Sequence, residues 1–215
     1  ALPNASLDAP ALLQEAFDAS QQAREAQTQS IYVMRSASTT LRRRREEIGW
    51  MATLSRALDN DSVELLIEPI APLQRATSGA EMYAVRVLLL DAQQQEIPSH
   101  RLLAAADRFQ LLATLDRWTI THALRRIAAL TASGAIHANS TFTLQLSAAS
   151  LAEPAMLAFL RRRVLDSELA AGRLCFEVTE SAALANALFA TRVFAGLRQL
   201  GCLIALDNVG GTESS

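Results

Sequence analysis

Residues 174–184, LCFEVTESAAL, decide the fold when they are set beside residues 203–211, LIALDNVGG. Each stretch is a short apolar run that ends in a carboxylate and passes at once into turn or cap residues, and one helix-length segment separates the two. The pattern predicts a strand, a crossover helix and a second strand. In a parallel α/β sheet the carboxyl ends of the strands open onto the ligand crevice, so Glu177 and Asp207 are expected to project side by side into one site. Two neighbouring carboxylates there suit a divalent cation. The competing reading is that strand-end acids only cap the helices after them.

Working outward, residues 63–70 (VELLIEPI) and 82–90 (MYAVRVLLL) read as two strands. The polar segment between them is too short for a crossover, so the pair is expected to be an antiparallel hairpin. Helical spacing comes next over 101–109 and 114–130, then a strand at 142–146, a helix at 154–165, a strand at 174–178, a helix at 183–200 and a strand at 203–207. After the hairpin the order is strictly βαβαβ, which implies parallel strands with right-handed crossovers in a doubly wound sheet or a barrel. Upstream, 36–59 reads as a helix in which Arg42 with Glu46 and Arg43 with Glu47 lie four apart, a solvated face. Its apolar side, Ile48, Met51, Leu54 and Leu58, is expected to dock on the domain that begins at the hairpin. Residues 11–27 read as a helix and 31–34 (IYVM) as a short strand, too little for a domain, so the first ~35 residues are expected to be the end of another one.

Composition narrows the function classes. Half of the 215 residues are apolar and the net charge is −2, which gives no electrostatic footprint for nucleic acid. No apolar run approaches the ~20 residues needed to span a bilayer. Cys175 and Cys202 lack zinc spacing and read as small core hydrophobes of a reduced cytoplasmic protein. An opening Ala without a signal peptide suggests a piece of a longer protein, with any membrane attachment lying outside it. His100, His122 and His137 show no ligand spacing, and Ser147 and Ser181 have no base assigned to them. Residues 209–212 lack the lysine of a P-loop, and Arg161, Arg162 and Arg163 read as a solvated helix face.

The helix at 44–59, then LLIEPIAPL, LDRWTITHAL, TLQLSAASL, FEVTESAAL and LRQLGCLIALDNVGG, in this order, resembles the EAL domain, the cyclic di-GMP phosphodiesterase family of bacteria. Residues before 36 are similar to the last helix and strand of a GGDEF, diguanylate cyclase, domain. The resemblance implies an α/β fold: an incomplete (βα)8 TIM-like barrel with one antiparallel strand over 61–215, a linker helix over 36–60, and a C-terminal GGDEF remnant over 1–35. A complete barrel takes about 250 residues, so its last strands are expected to lie beyond residue 215.

The family hydrolyses one phosphodiester with two divalent cations. The resemblance takes their ligands from the Glu of a Glu-x-Leu strand, an Asn on the next strand, the first Glu of Glu-x-Thr-Glu and a paired Asp-Asp. Here those positions are Ala84, Gln145, Glu177, and Asp207 with Asn208. The arginine that grips the substrate phosphate aligns with Leu88. Glu180, whose family role is to hold the loop after its strand, is kept. Glu68 stands where the family has Gln; it is either a compensating carboxylate or drift.

The resulting expectation is a catalytically degenerate EAL domain of a GGDEF-EAL signalling protein that regulates through a protein partner or homodimer. The alternatives are a non-hydrolysing cyclic di-GMP receptor, its affinity weakened by the loss at Leu88, and a residual phosphodiesterase. No catalytic residue and no cofactor is expected, with Mg2+ or Mn2+ required if any activity remains. Glu177, Asp207, Gln145 and Asn208 are then vestigial metal positions.

Overall fold

In the computed structural model a hairpin opens a mixed five-stranded sheet of order β1-β2-β3-β4-β5. The structure describes residue 13 and residues 38–60, 63–72, 81–90 and 95–210. β1 (Glu64–Ile70) runs antiparallel to β2 (Met82–Leu88), while β3 (Thr141–Gln145), β4 (Leu174–Thr179) and β5 (Leu203–Asp207) continue from β2 in parallel. The sequence order is therefore also the spatial order, each strand pairing with the one before it as in a singly wound sheet. The helix and strand expected over 11–27 and 31–34 fall outside the described residues, apart from Leu13, which is helical. The Arg42/Glu46 and Arg43/Glu47 side chains lie outside them too.

The chain forms two compact units, Ala1–Gly49 and Trp50–Ser215. Helix α1 (Ser38–Asp59) runs through the boundary, and within the second unit its Met51, Leu54 and Ala57 are buried with Val63, Leu89, Leu102 and Leu115. Leu58 packs at the margin of that cluster, and Ile48, in the first unit, is exposed. Helix α2 (Ser99–Arg108) contributes Leu102, Ala105 and Ala106 to the same cluster.

A second cluster fills the space between the sheet and its helices. Leu174, Phe176 and Val178 alternate along β4 onto this face beside Phe142 and Leu144 of β3, all buried. Ile120, Ala123, Leu124 and Ile127 face them from α3 (Leu112–Ala132), and Met156, Leu160 and Val164 from α5 (Met156–Asp166). Each large side chain fully buried there stabilises the fold by about 1.5–3 kcal/mol. The apolar halves of β3 and β4 thus face the helices, and their other halves are left for the inner face of the sheet.

Two connections differ from the simple pattern. The segment before α5 holds a short helix α4 (Ala148–Ala152), whose N-cap Ser147 accepts a hydrogen bond from the Ser150 N–H at 3.2 Å. The helix expected over 183–200 is two helices, α6 (Glu180–Ala185) and α7 (Ala187–Gln199), broken at Asn186 with φ −126° and ψ 36°. Thr179 starts α6 directly at the end of β4, its Oγ1 accepting from the Ala182 N–H. The helix therefore begins at Glu180 rather than at the expected residue 183, because a threonine cap ends the strand. Gly201, at φ 91°, then closes α7 in the left-handed conformation, its N–H donating to the Arg198 carbonyl at 2.9 Å. Among the described residues no helix is long and apolar enough to cross a membrane.

Candidate functional site

Strand alternation fixes which side chains share the inner face. Ala84 lies opposite Glu68 on β1 and beside Thr143 on β3, Thr143 lies beside Cys175, and Cys175 beside Leu203. Two residues further toward the carboxyl ends, Gln145 lies beside Glu177 and Glu177 beside Ala205. After two more, Thr179 lies beside Asp207. Glu177 and Asp207 are thus on one face of neighbouring strands but are not register partners. Strands of a barrel tilt about 35–45° from its axis, so side chains that meet at one height must be staggered in register in this way. The sequence places both carboxylates at strand ends; only the pairing supplies the stagger.

The Glu177 carboxyl is coupled to the charges around it. Burial raises the Glu177 carboxyl pKa, the negative charge of Asp207 raises it further, and the Arg86 guanidinium opposes both. Asp207 also caps its own turn, since its Oδ1 accepts from the Asn208 N–H at 2.8 Å. Asn208 is exposed at φ 55°, a left-handed conformation that asparagine tolerates. Gln145 is exposed beside Glu177, and Leu88, half-buried, lies opposite Glu64.

Glu180, expected to hold the loop after its own strand, bonds to the turn after the next strand. Its Oε2 accepts from the Gly210 N–H at 2.8 Å, so it ties the start of α6 to the turn after β5. The segment after β4 is held instead by Thr179 and by Asn186, whose Nδ2 donates to the Ala182 carbonyl.

Two residues important to the arrangement carry no signal in the sequence pattern. Arg86, in YAVRVLL, donates from Nε to Glu68 Oε2 at 2.7 Å. Because Leu66 is the register partner of Arg86, this is a diagonal cross-strand pair, legible only once the hairpin register is known. Glu68 therefore faces a guanidinium on its own hairpin. The second is Asp116 of LDRW, whose Oδ2 accepts from the Ser147 N–H at 2.8 Å, the Ser147 hydroxyl at 2.7 Å and the Ser150 hydroxyl at 2.5 Å. It locks α4 onto α3 and explains Ser147 as a structural group. Burial pushes the Asp116 carboxyl pKa up, against those three bonds.

Divalent metal ions need several anionic oxygens, and among the described residues no three His, Cys, Asp or Glu side chains come together closely enough to hold one. The inner-face thiol of Cys175 is held protonated by burial and by Glu177, and Cys202 by burial and Cys175, at a pKa of about 11.

An open mixed sheet, a first strand antiparallel to the rest, and acids at the carboxyl ends of parallel strands define a barrel-type α/β domain with its site at the strand ends. The model of the EAL domain family matches residues 51–215, and the chain belongs to that family. It is similar to the cyclic di-GMP phosphodiesterase PdeF of Escherichia coli, 28% identical over 177 residues, which are 82% of this chain and 23% of that protein. It is also similar to the cyclic di-GMP phosphodiesterase PdeA of Borreliella burgdorferi, 27% identical over 160 residues, 74% of this chain and 23% of that one. The chain thus spans under a quarter of the length of these curated relatives. Among solved structures it is similar to the FimX EAL domain from Pseudomonas aeruginosa bound to c-di-GMP, with 30% identity and a TM-score of 0.67 over 76% of this chain and 64% of that one.

Proposed function

We propose that this chain is the EAL part of a cyclic di-GMP signalling protein that has lost hydrolysis and regulates through protein contacts. The observation that carries this is the inner face itself. Ala84 offers no carboxylate where the family's first ligand stands, Asn208 is neutral where the second Asp of the family's pair stands, and the added acid, Glu68, is engaged by Arg86. Of the family's ligand positions that residues 61–215 carry, Glu177 and Asp207 alone keep a carboxylate, fewer than the two cations of a phosphodiester hydrolase draw from this part of the barrel. In this reading residues 1–35 end a preceding GGDEF domain and 36–60 carry its coupling helix, with a protein partner or a second copy receiving the signal.

The test is direct. Full-length protein incubated with cyclic di-GMP and Mg2+ or Mn2+ is expected to release no linear dinucleotide above background. Turnover near an ordinary enzyme's ~10 per second would overturn the reading.

A second reading, a receptor that binds cyclic di-GMP without turnover, is favoured by one observation: the similar FimX EAL domain has a structure bound to c-di-GMP. Against it, Leu88 withholds a charge-assisted contact of about 1.5–3 kcal/mol, a loss of roughly ten- to more than hundredfold in affinity. Calorimetry separates the two, and a sub-micromolar Kd would promote the receptor.

A further inference from the structure

We propose that Arg86 is the resident cation of this barrel mouth and keeps divalent metal out of it. The inference rests on the reading of an incomplete metal-ligand set, and it adds a cause beyond that loss. Arg86 lies on the same inner-face row as Ala84, one step nearer the carboxyl end of β2, above the place from which a carboxylate at residue 84 would project. Its Nε is anchored at 2.7 Å by Glu68, the register partner of Ala84. The pair thereby lies on the inner-face row, on the side that Glu177 shares, and the acid that could have supplemented Glu177 and Asp207 is engaged by the guanidinium.

The described charges on this face are Glu64, Glu68, Arg86, Glu177 and Asp207. Glu64 sits one step beyond Arg86, opposite Leu88. A divalent ion drawn to Glu177 would meet the fixed positive charge of Arg86 across the sheet. Replacing Arg86 removes that positive charge and also frees the Glu68 carboxylate paired with it, and at intermediate dielectric the two changes together raise cation affinity by about tenfold or more. The hairpin has therefore exchanged a carboxylate that needs an external cation for an ion pair that carries its own. Both side chains are at least half solvent-accessible, 59% for Arg86 and 50% for Glu68, so substitution there should leave the fold intact.

The experiment is a titration of Mn2+ into the full-length protein, with free Mn2+ read by electron paramagnetic resonance. Wild type is expected to show no saturable binding, and Arg86→Leu to bind Mn2+ at least about tenfold more tightly. The gain should vanish in Arg86→Leu/Glu177→Gln. Arg86→Gln, which keeps a polar side chain on the strand, serves if the leucine variant melts early. Saturable binding by wild type that Glu177→Gln removes, or no gain in either Arg86 variant, would overturn the inference. Hydrolysis measured separately tells this failure apart from failure of the degenerate-site reading, because an Arg86 variant without metal gain leaves the hydrolytic result untouched.

Discussion

The Gly210 N–H donates to Oε2 of Glu180 at 2.8 Å, joining two residues thirty apart in the chain. The bond spans the carboxyl ends of β4 and β5 and sets the path of the turn that carries Asn208. Glu180 is thus connected to the geometry around Asp207, although it is not on the inner face.

Glu180→Ala is expected to speed hydrogen exchange at the Gly210 amide by up to about tenfold, as removal of one charge-assisted bond at a partly exposed site implies. If the strand-end surface meets a partner or a second copy, the same variant disturbs assembly in sedimentation, while Glu177→Ala leaves assembly nearly unchanged. An assembly change confined to Glu177→Ala would assign the contact to the inner face and refute this view.

Restoring the family's acids should not be enough by itself. In Ala84→Glu/Asn208→Asp, Arg86 stands next along the inner-face row from the new glutamate and competes for it. Measurable cyclic di-GMP hydrolysis is expected only when Arg86→Leu is added. Equal activity with and without the Arg86 change would show that the guanidinium does not obstruct. Silence of both variants would move attention to Leu88 and Gln145.

Asp116 is the most consequential polar group of the scaffold, since its carboxylate accepts all three bonds that fix α4. Asp116→Ala leaves the Ser147 amide and two hydroxyls seeking partners and should cost roughly 2–4 kcal/mol. For a chain of this size that lowers Tm by about 5–15 °C in a thermal melt. A shift of only a degree or two would mean that water replaces the carboxylate without loss.

The same residue sets a pH dependence. Burial first, against its hydrogen bonds, places the folded pKa of Asp116 above the ordinary 3.8, so the native state holds that proton more tightly than the unfolded chain. Its contribution to stability is fully present below pH 3.8 and is lost as pH rises through the folded value. The Tm advantage of wild type over Asp116→Asn should therefore shrink with rising pH across that window. A constant or growing difference contradicts the assignment.

The strands and most helices are legible because their signals are local. A period of two in LCFEVT, three and four spacing from Leu112 to Ile127, and a polar connection too short for a crossover each constrain a few neighbouring residues. The same holds for the acids: a carboxylate that ends an apolar run lies at the carboxyl end of a strand whichever sheet it joins. The strand-terminal Thr179 cap is also written in the sequence, yet the helix it starts has only six residues and little periodicity, so the sequence reading begins the helix three residues late, at 183.

What the sequence determined by itself is the element order, the inner-face position of Glu177 and Asp207, and the absence of acids at Ala84 and Asn208. Only the tertiary structure decided which groups those acids meet. The Glu68 to Arg86 pair depends on the hairpin register, the stagger of Glu177 and Asp207 on strand tilt, the Glu180 to Gly210 bond on two neighbouring strand ends, and the Asp116 node on α3 meeting α4. Each joins residues eighteen or more apart in the chain, and contacts at such separation leave no periodic trace, because they are selected by packing rather than by neighbouring residues.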